Sequence, residues 1–407
     1  MALIRPFRGL RPPPAMAAQI ASPPYDVVST EEARAIAAGN PRCFLRVSRP
    51  EVDLPAGIDE HSDEVHAKGA ANLREFMAQG WLAGDTAPRF YVYRQRMGAH
   101  VQSGFVAAAS VDEYDRELIR KHELTRPDKE DDRTRHIVAL EANDEPVFLT
   151  YRSRPEVDGL LEEVERGAPE YDFVSDDGIA HSFWVAPEAM NPRIERAFAE
   201  VPMLYIADGH HRSAAASRAH RQFEQAGRAG GAHGSFLAVI FPHSQMQILD
   251  YNRAVTDLNG LSPEAFLARV RERFGVEPAP QPKPDAAHRF GMYLEGRWHR
   301  LVARPGSFAN TPLGVLDVNI LQDNLLAPLL GIADPRRDPR IQFVGGIRGT
   351  AELERLVDSG RARVAFALFP TSLDQLIAIA DAGEIMPPKS TWFEPKLRSG
   401  LVLHPFF

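Results

Sequence analysis

Residues Pro202-Met-Leu-Tyr-Ile-Ala-Asp-Gly-His-His-Arg-Ser213 pass from a short apolar run into a tight polar turn, and an alanine-rich stretch to Gln225 follows. This order predicts a buried strand, a tight loop and a helix. A strand that breaks at Asp208-Gly209 and enters a helix presents free amides and the positive end of the helix dipole to an anion. We therefore predict that this loop cradles phosphate.

The side chains of the loop suit that chemistry. Gly209 allows close approach of the backbone, and the guanidinium of Arg212 can bind two phosphate oxygens. His210 or His211 can donate a hydrogen bond or relay a proton, while Asp208 can activate a hydroxyl group or hold Mg²⁺ through water. The alternative is an Asp-Gly turn with a helix cap and surface histidines. Two adjacent histidines are poor evidence for zinc, because the loop lacks an HExxH spacing and a cysteine ligand.

The overall composition argues against several classes of protein. Of the 407 residues, 44% are hydrophobic and 25% are charged, which is typical of globular proteins, and the formal net charge is −8. An acidic chain has no general attraction to nucleic acid or anionic lipid, so we expect neither a nucleic-acid nor a membrane partner. No apolar run approaches the roughly 20 residues of a membrane span, and the first residues lack the pattern of a signal peptide. Because Cys43 is the single cysteine, we expect a cytoplasmic protein.

Lysine is rare in this sequence, with six lysines against 41 arginines. Four of the six fall in two short polar segments, and a mobile ammonium differs chemically from a planar guanidinium, so these positions suit a role that requires lysine. Chance clustering is the alternative. The first polar segment is Lys121-His-Glu-Leu-Thr-Arg-Pro-Asp-Lys-Glu-Asp-Asp-Arg133. In a functional interpretation Glu123 is a general base or metal ligand, and Lys121, Lys129 and Arg133 neutralise phosphate charge. The alternative is a solvated charged loop, with a helix that starts just after its proline.

The second polar segment is Ile385-Met-Pro-Pro-Lys-Ser-Thr-Trp-Phe-Glu-Pro-Lys396, where two prolines stiffen a backbone that displays Lys389 and Thr391. Aromatic residues beside two of the rare lysines suit closure over a ligand, and a packed C-terminal tail is the alternative. A phosphoryl group in transfer carries charge on several oxygens. We therefore expect Lys389 and one lysine of the first polar segment to converge on the Asp208 loop.

Hydrophobic periodicity predicts alternating strands and helices along the whole chain. Predicted strands occupy 89–94, 104–109, 146–151, 182–185, 202–207, 235–241, 289–294, 298–302, 341–344 and 364–369, and predicted helices 30–39, 62–79, 157–165, 213–225, 315–326, 351–359 and 373–382. This mixture indicates an α+β protein, and the proline-rich segment 276–284 suits a linker or insertion. We divide the chain into an N-terminal α/β part at 1–110, a core at 111–275 and a C-terminal α/β part at 276–407 that closes over the site.

Several separated motifs together resemble one known family. They are Ser22-Pro-Pro-Tyr-Asp-Val27, Asn40-Pro41 with Phe44-Leu-Arg-Val47, Lys121-His-Glu with Asp132-Arg133, Ala207-Asp-Gly-His-His-Arg212, and Met386-Pro-Pro-Lys-Ser-Thr391 with Phe393-Glu-Pro-Lys396. Their order, spread over nearly the whole chain, resembles the prokaryotic family known as domain of unknown function ten-fifteen. That resemblance implies little biochemistry.

The Asp-Gly-His-His-Arg element is also similar to the nucleotide-phosphate loop of the sulfiredoxin/ParB-like superfamily, and in particular of its free L-serine kinases, which phosphorylate serine to O-phosphoserine. This similarity implies a mixed-sheet sulfiredoxin/ParB-like core. It also implies that Asp208 is a catalytic acidic residue and that residues 209–212 form the phosphate cradle, with Glu123 as the candidate for the second carboxylate. A sulfiredoxin reaction is not expected, because His210 replaces the cysteine of the Gly-Cys-His-Arg loop.

These features together predict a nucleotide-dependent phosphotransferase that acts on a small hydroxylated metabolite, with free L-serine as the preferred acceptor. ATP or ADP is the expected donor, Asp208 and Glu123 are expected to hold Mg²⁺, and His210 joins them as a catalytic residue. The residues expected to bind the nucleotide are Gly209, His210, His211, Arg212, Lys129, Arg133, Lys389 and Thr391. A phosphoserine phosphatase and a non-enzymatic nucleotide-binding regulator are the alternatives. The sequence leaves the oligomeric state open.

Overall fold

The computed structural model describes residues 2–279 and 281–407. Its contacts divide the chain into two units, Met1–Met246 with Pro395–Phe407, and Gln247–Glu394. The division predicted at residues 110 and 275 is a different one, because residue 110 is the last of a strand in the first unit and residue 275 lies within a strand of the second. The proline-rich segment 276–284 starts inside the strand Phe274–Pro278 of the second unit, and its residue 280 lies outside the described residues.

The first unit combines a large sheet with helices. Its strands, numbered along the whole chain, are β1 (Ile4–Arg5), β2 (Leu10–Arg11), β3 (Ala83–Gly84), β4 (Tyr91–Met97), β5 (His100–Ser110), β6 (Ile119–Arg120), β7 (Ala142–Asn143), β8 (Val147–Tyr151), β9 (Tyr171–Val174), β10 (Ala180–Val185), β11 (Leu204–Asp208), β12 (Ser235–Pro242) and, near the C-terminal end, β21 (His404–Pro405). Its helices are α1 (Ala17–Ile20), α2 (Thr30–Ala37), α3 (Leu45–Ser48), α4 (Asp63–Ala78), α5 (Val111–Asp115), α6 (Pro127–Leu140), α7 (Pro155–Glu165), α8 (Asn191–Ala199) and α9 (His210–Gln225).

The large sheet is mixed. Its strand order is β6-β11-β8-β12-β5-β4-β10-β9, and β1 pairs with β5 outside this path. Strand β11 runs parallel to β6 and β12 runs parallel to β8, while the other neighbouring strands are antiparallel. This topology confirms the predicted α+β class with a mixed sheet. The sulfiredoxin/ParB-like assignment of the core stays a prediction.

The central strands are continuous apolar runs. Strand β8 is buried along its whole length, and β12 is buried at every position except its first. A strand that is covered on both faces buries every side chain, which is the structure that such runs predict. Helix α4 buries Val65, Leu73 and Phe76, as its predicted amphipathic spacing requires.

Strand β11 and helix α9 confirm the predicted strand, tight loop and helix. Leu204 and Ile206 are buried in β11, between β6 and β8. Helix α9 buries alanines at 214–216 and at 219, and such small side chains let a helix lie close to its neighbours. The helix begins at His210 rather than at the predicted Ser213. Both loop histidines therefore lie in its first turn.

The second unit contains strands and helices of its own. Its strands are β13 (Gln247–Leu249), β14 (Tyr251–Val255), β15 (Phe274–Pro278), β16 (Arg289–Leu294), β17 (Arg297–Ala303), β18 (Ile341–Gly345), β19 (Val364–Leu368) and β20 (Trp392–Glu394), and its helices are α10 (Pro263–Arg273), α11 (Asp317–Leu321), α12 (Gly349–Asp358) and α13 (Leu373–Asp381). Six strands form an antiparallel sheet of order β15-β17-β16-β19-β14-β18, and β13 pairs with β20. None of the helices formed by residues 2–279 and 281–407 has the length and apolar character needed to cross a membrane.

Candidate functional site

A single residue joins β11 to α9. Strand β11 ends at Asp208 and α9 begins at His210, so Gly209 alone makes the turn. Gly209 has a φ of +95°, in the left-handed region that glycine adopts without strain. The first turn of α9, whose amides have no intrahelical acceptors, therefore directly follows a buried strand, as the phosphate-cradle prediction requires.

Asp208 has cationic groups on more than one side. Its Oδ1 accepts a hydrogen bond from the amide of Gly209 at 2.8 Å, and its Oδ2 accepts one from Nζ of Lys396 at 2.9 Å. The guanidinium of Arg212 lies 4.0 Å from Oδ1. Burial favours the protonated acid, but the charges of Lys396 and Arg212 outweigh burial and hold the pKa of Asp208 well below its usual range. Asp208 is therefore ionised at neutral pH.

Lys396 is not among the predicted site residues, although it is one of the six lysines. It belongs to the C-terminal segment 395–407, which forms part of the first unit. Its carbonyl accepts a hydrogen bond from the side chain of Gln95 at 2.8 Å. The rarity of lysine is a signal that points equally to Lys389 and Lys396, the two lysines of the second polar segment. The predicted site nevertheless includes only Lys389.

Arg212 joins three separate chain segments. Its buried guanidinium donates hydrogen bonds to the carbonyl of Pro146 and, at 3.4 Å, to Oδ2 of Asp26. Burial lowers the pKa of Arg212, but the carboxylates of Asp26 and Asp208 outweigh burial and keep that pKa above its usual value. The positive charge is therefore fixed in position at the start of α9, and Asp26 of the Ser22-Pro-Pro-Tyr-Asp-Val27 motif contributes to the site.

The two loop histidines have different surroundings. His210 is buried, and its Nε2 accepts a hydrogen bond from the main-chain amide of His122 at 3.4 Å. Burial and the neighbouring ring of His122 lower the pKa of His210 well below its usual value, so its imidazole is neutral. His211 is half-buried, and its Nε2 accepts a hydrogen bond from the amide of Arg126 at 3.1 Å. The alternative of surface histidines is therefore wrong for His210.

The first polar segment is only partly a loop. From Pro127 onward it forms the start of α6, as its proline predicts, and Asp132 and Arg133 are buried there. Nε of Arg133 donates to Oδ2 of Asp132 at 2.8 Å, and its guanidinium lies 4.2 Å from the ring centroid of Tyr25. The solvated alternative is therefore wrong for Asp132 and Arg133, whereas Asp128 and Asp131 are exposed. A pattern of charges does not show which of them neutralise one another inside the protein.

Lys121 or Lys129 of the first polar segment is the lysine predicted to converge on the Asp208 loop. The ammonium of Lys121 is 4.1 Å from the ring centroid of Tyr114 and 3.9 Å from Oε1 of Glu117. Lys129 lies in the first turn of α6. In the part of the chain that the structure describes, neither ammonium forms an ion pair with Asp208, a position that Lys396 occupies instead.

Glu123 lies next to two imidazoles. It is half-buried in the loop between β6 and α6, and one ligand atom from each of His122, Glu123 and His210 lies within 4.8 Å of the other two. Burial lowers the pKa of His122 to about 4, although the carbonyl of Ile206 lies near its ring and opposes this effect. The assignment of Mg²⁺ to Asp208 and Glu123 stays a prediction.

Two acidic residues near Arg212 are absent from the predicted site. Asp144 and Glu145 line a small cavity together with Arg133 and Arg212, and this cavity has room for about one water molecule. Oε1 of Glu145 accepts a hydrogen bond from the amide of Tyr25 at 2.9 Å. Burial and the negative charge of Asp144 raise the pKa of Glu145 to about 8. The sequence signal for these two residues is an acidic pair that lies one residue before the buried strand β8.

Lys389 and Thr391 belong to the second unit. Lys389 is exposed and has a φ of +59°, and its ammonium lies 5.8 Å from the ring centroid of Tyr251. Thr391 directly precedes β20. The expected convergence of Lys389 with the Asp208 loop stays a prediction, as does the part of Thr391 in nucleotide binding.

Replacing Gly209 with alanine should weaken both the fold and anion binding. The left-handed φ costs a residue with a Cβ about 1–2 kcal/mol, and the added Cβ lies 3.3 Å from Cζ of Arg212, so the guanidinium must shift. Gly98→Ala is the matched control, because Gly98 has a φ of +60° and its added Cβ meets nothing within 4 Å. Urea unfolding should show a similar loss for both variants, and calorimetry with ATP a loss of affinity for Gly209→Ala alone. Equal ATP affinities in the two variants would indicate that Arg212 does not bind the anion.

The pH dependence of stability should reveal the protonated form of Glu145. A carboxyl group with a raised folded pKa stabilises the fold at low pH, and this contribution is lost as the pH rises from its usual pKa towards about 8. Glu145→Gln keeps the accepting oxygen without the charge. We expect this variant to match the unsubstituted protein near pH 5 and to be more stable near pH 9 in urea unfolding. One unit of difference between the folded and unfolded pKa corresponds to about 1.4 kcal/mol.

Glu195→Gln on the exposed face of α8 is the control for this experiment. It should leave the pH profile of stability unchanged. An equal loss of stability in Glu145→Gln at both pH values would mean that Glu145 is ionised in the folded protein.

Solved structures offer only weak similarity to this chain. A free serine kinase variant in complex with AMP is 13% identical with a TM-score of 0.37, and the match covers 73% of this chain and 92% of that chain. A conserved hypothetical protein from Pyrococcus furiosus is 12% identical with a TM-score of 0.35 and coverages of 73% and 95%. C-terminally truncated SbnI from Staphylococcus aureus is 13% identical with a TM-score of 0.38 and coverages of 72% and 85%. At such low TM-scores these similarities carry no functional argument.

Comparison by sequence gives a clearer result. No curated protein matches the chain. The family described as protein of unknown function (DUF1015) matches residues 4–319, which are most of the chain. The separated motifs led to the same expectation, and the chain belongs to the DUF1015 family.

Proposed function

We propose that this protein is a nucleotide-dependent phosphotransferase that acts on a small hydroxylated metabolite. The observation that carries the proposal is the environment of Asp208. This ionised carboxylate lies at the end of a buried strand, in contact with the ammonium of Lys396 and next to the first turn of α9. A carboxylate, a mobile cation and a set of free amides are groups that phosphoryl transfer uses.

Each group has its own role in the proposed reaction. The amides at the start of α9 and the guanidinium of Arg212 bind oxygens of the donor phosphates. The acceptor hydroxyl oxygen forms a bond to the terminal phosphorus while the bond from that phosphorus to the rest of the nucleotide breaks. Asp208 accepts the hydroxyl proton, and the shortened nucleotide leaves.

Lys396 links phosphate binding to the basicity of Asp208. While its ammonium lies 2.9 Å from Oδ2, Asp208 is a weak base, because its pKa is well below the usual range. The flexible lysine side chain can turn towards the transferred phosphoryl group, where negative charge accumulates. That movement removes a cation from Asp208 and raises its pKa. The base therefore becomes stronger when the phosphate is in place.

The donor atoms near the loop also suit the predicted metal. Mg²⁺ binds one or two carboxylates together with phosphate oxygens, and Asp208 and Glu123 offer carboxylates of this kind. Asp208 would hold the ion through water, so that its own oxygen can still accept the hydroxyl proton. When bound, Mg²⁺ would neutralise charge on the phosphate oxygens.

The identity of the substrates is proposed from the resemblance of the loop to that of the free serine kinases. ATP or ADP is the donor, and free L-serine is the acceptor, which gives O-phospho-L-serine. Incubation with each nucleotide, Mg²⁺ and a panel of hydroxy-amino acids, followed by phosphorus NMR, tests this. A new phosphomonoester that requires both nucleotide and L-serine supports the proposal. Phosphate release from phosphoserine without nucleotide would indicate the phosphatase alternative, and nucleotide binding without turnover would indicate the regulator.

Replacing Asp208 with asparagine should abolish turnover while nucleotide affinity changes little. The amide keeps the shape of the side chain but cannot accept the hydroxyl proton, and loss of a general base costs roughly 10²- to 10⁴-fold in rate. Steady-state kinetics and calorimetry measure the two effects separately. Asp176→Asn, in the exposed turn between β9 and β10, is the matched control. Full activity in Asp208→Asn would reduce Asp208 to a turn residue.

Replacing Lys396 with methionine should weaken nucleotide binding by about 1.5–3 kcal/mol, the scale of a hydrogen bond to a charged group. Lys68→Met on α4 controls for the loss of one positive charge. The same substitution in an Asp208→Asn background separates two roles of Lys396. If Lys396 binds phosphate, affinity falls in that background too. If affinity stays the same there, Lys396 serves only to hold Asp208, and its proposed movement is wrong.

A further inference from the structure

Two histidines and one glutamate meet beside the Asp208 loop. One ligand atom from each of His122, Glu123 and His210 lies within 4.8 Å of the other two. His122 and Glu123 come from the loop after β6, and His210 comes from the first turn of α9. The rings of the two histidines are nearly perpendicular, with their centroids 4.5 Å apart. Two separate chain segments therefore bring three metal-binding groups to one point.

The imidazole of His122 is buried with few hydrogen-bond partners, which favours binding of a ligand. The residue is only 2% exposed, and neither ring nitrogen has a partner in good hydrogen-bond geometry, although the carbonyl of Ile206 lies near the ring. A buried polar group left unsatisfied costs about 1–3 kcal/mol, so folded proteins contain few of them. A metal ion that accepts a lone pair from the ring would remove this cost. Nε2 of His210 has only a weak competitor for its own lone pair, a 3.4 Å hydrogen bond from the His122 amide.

We propose that His122, Glu123 and His210 bind a divalent transition metal ion, with Zn²⁺ as the best match. Two imidazoles and one carboxylate form the ligand set of zinc sites that leave a fourth position open, whereas Mg²⁺ prefers oxygen ligands. Atoms bound tetrahedrally to one Zn²⁺ at about 2.0–2.2 Å lie about 3.3–3.6 Å apart. The three ligand atoms lie within 4.8 Å of one another, so the side chains need to close by up to about 1.4 Å to bind the ion.

The open position of this site defines the class of its further ligand. His210 is two residues from Asp208 and belongs to the helix turn that is proposed to bind phosphate. A phosphate oxygen is therefore the ligand that fits the fourth position. The metal site does not rest on the proposed phosphotransferase activity, because binding can be measured without turnover. Binding of Zn²⁺ by Glu123 would leave Asp208 as the carboxylate for Mg²⁺. The phosphotransferase and the zinc site can therefore fail independently.

Metal titration of tag-free protein, first stripped with a chelator, tests this site. Calorimetry should show one equivalent of Zn²⁺ bound, and no comparable binding of Mg²⁺ at the same concentration. Co²⁺ should bind in place of Zn²⁺ and give the strong visible absorption of a four-coordinate ion. Preferential binding of Mg²⁺, or no binding of either Zn²⁺ or Co²⁺, would overturn the proposal.

Variants assign the bound metal to these three residues. His122→Gln and Glu123→Gln should each weaken Zn²⁺ binding by more than about 100-fold, because even residues that only support a ligand are worth 10- to 100-fold. His100→Gln, at the start of β5, is the matched control and should bind Zn²⁺ normally. Thermal unfolding of each metal-free variant checks the fold, and Glu123→Gln keeps the test valid if the buried His122 proves essential for folding. Unchanged Zn²⁺ affinity in Glu123→Gln would place the metal elsewhere.

Discussion

The buried guanidinium of Arg212 is the constraint around which the Asp208 site is arranged. A charge removed from water needs counter-charges and hydrogen-bond partners, and without them its burial costs several kcal/mol. Arg212 finds them in the carbonyl of Pro146 and in the carboxylates of Asp26 and Asp208. These partners are distant in sequence. The N-terminal proline-rich turn, the start of β8 and the end of β11 are therefore all held to the first turn of α9.

Of two carboxyl groups near this guanidinium, one is ionised and the other is protonated at neutral pH. Asp208 is ionised because Lys396 and Arg212 outweigh its burial, whereas Glu145 has a pKa of about 8 because burial and the charge of Asp144 outweigh Arg212. The same cation is available to both, so the remaining neighbours decide the outcome. This difference would favour the proposed binding of phosphate, because the protonated Glu145 adds no negative charge that repels the anion.

The fold could be predicted where the signal is local. The change from an apolar run to Asp208-Gly209 and then to an alanine-rich stretch contains the strand, the turn and the helix, since each depends on neighbouring residues. The same holds for the start of α6 at Pro127. What could not be predicted is the burial of Asp132 and Arg133. A charged residue is normally solvated, and the cost of burying these two is offset in part by partners that are distant in sequence, His61 for Asp132 and Tyr25 for Arg133.

Lys396 shows why the site itself was predicted incompletely. It binds Asp208 across 188 positions of sequence, and no periodicity specifies a contact at that range. The clue that remained was chemical, because a chain with 41 arginines uses lysine at only six positions. An arginine at 396 could hold both carboxylate oxygens of Asp208 through a rigid fork, which would keep the acid paired. A single ammonium on a flexible stem can leave one oxygen and reach another. Lysine therefore suits the proposed movement of this cation from a carboxylate to a phosphate.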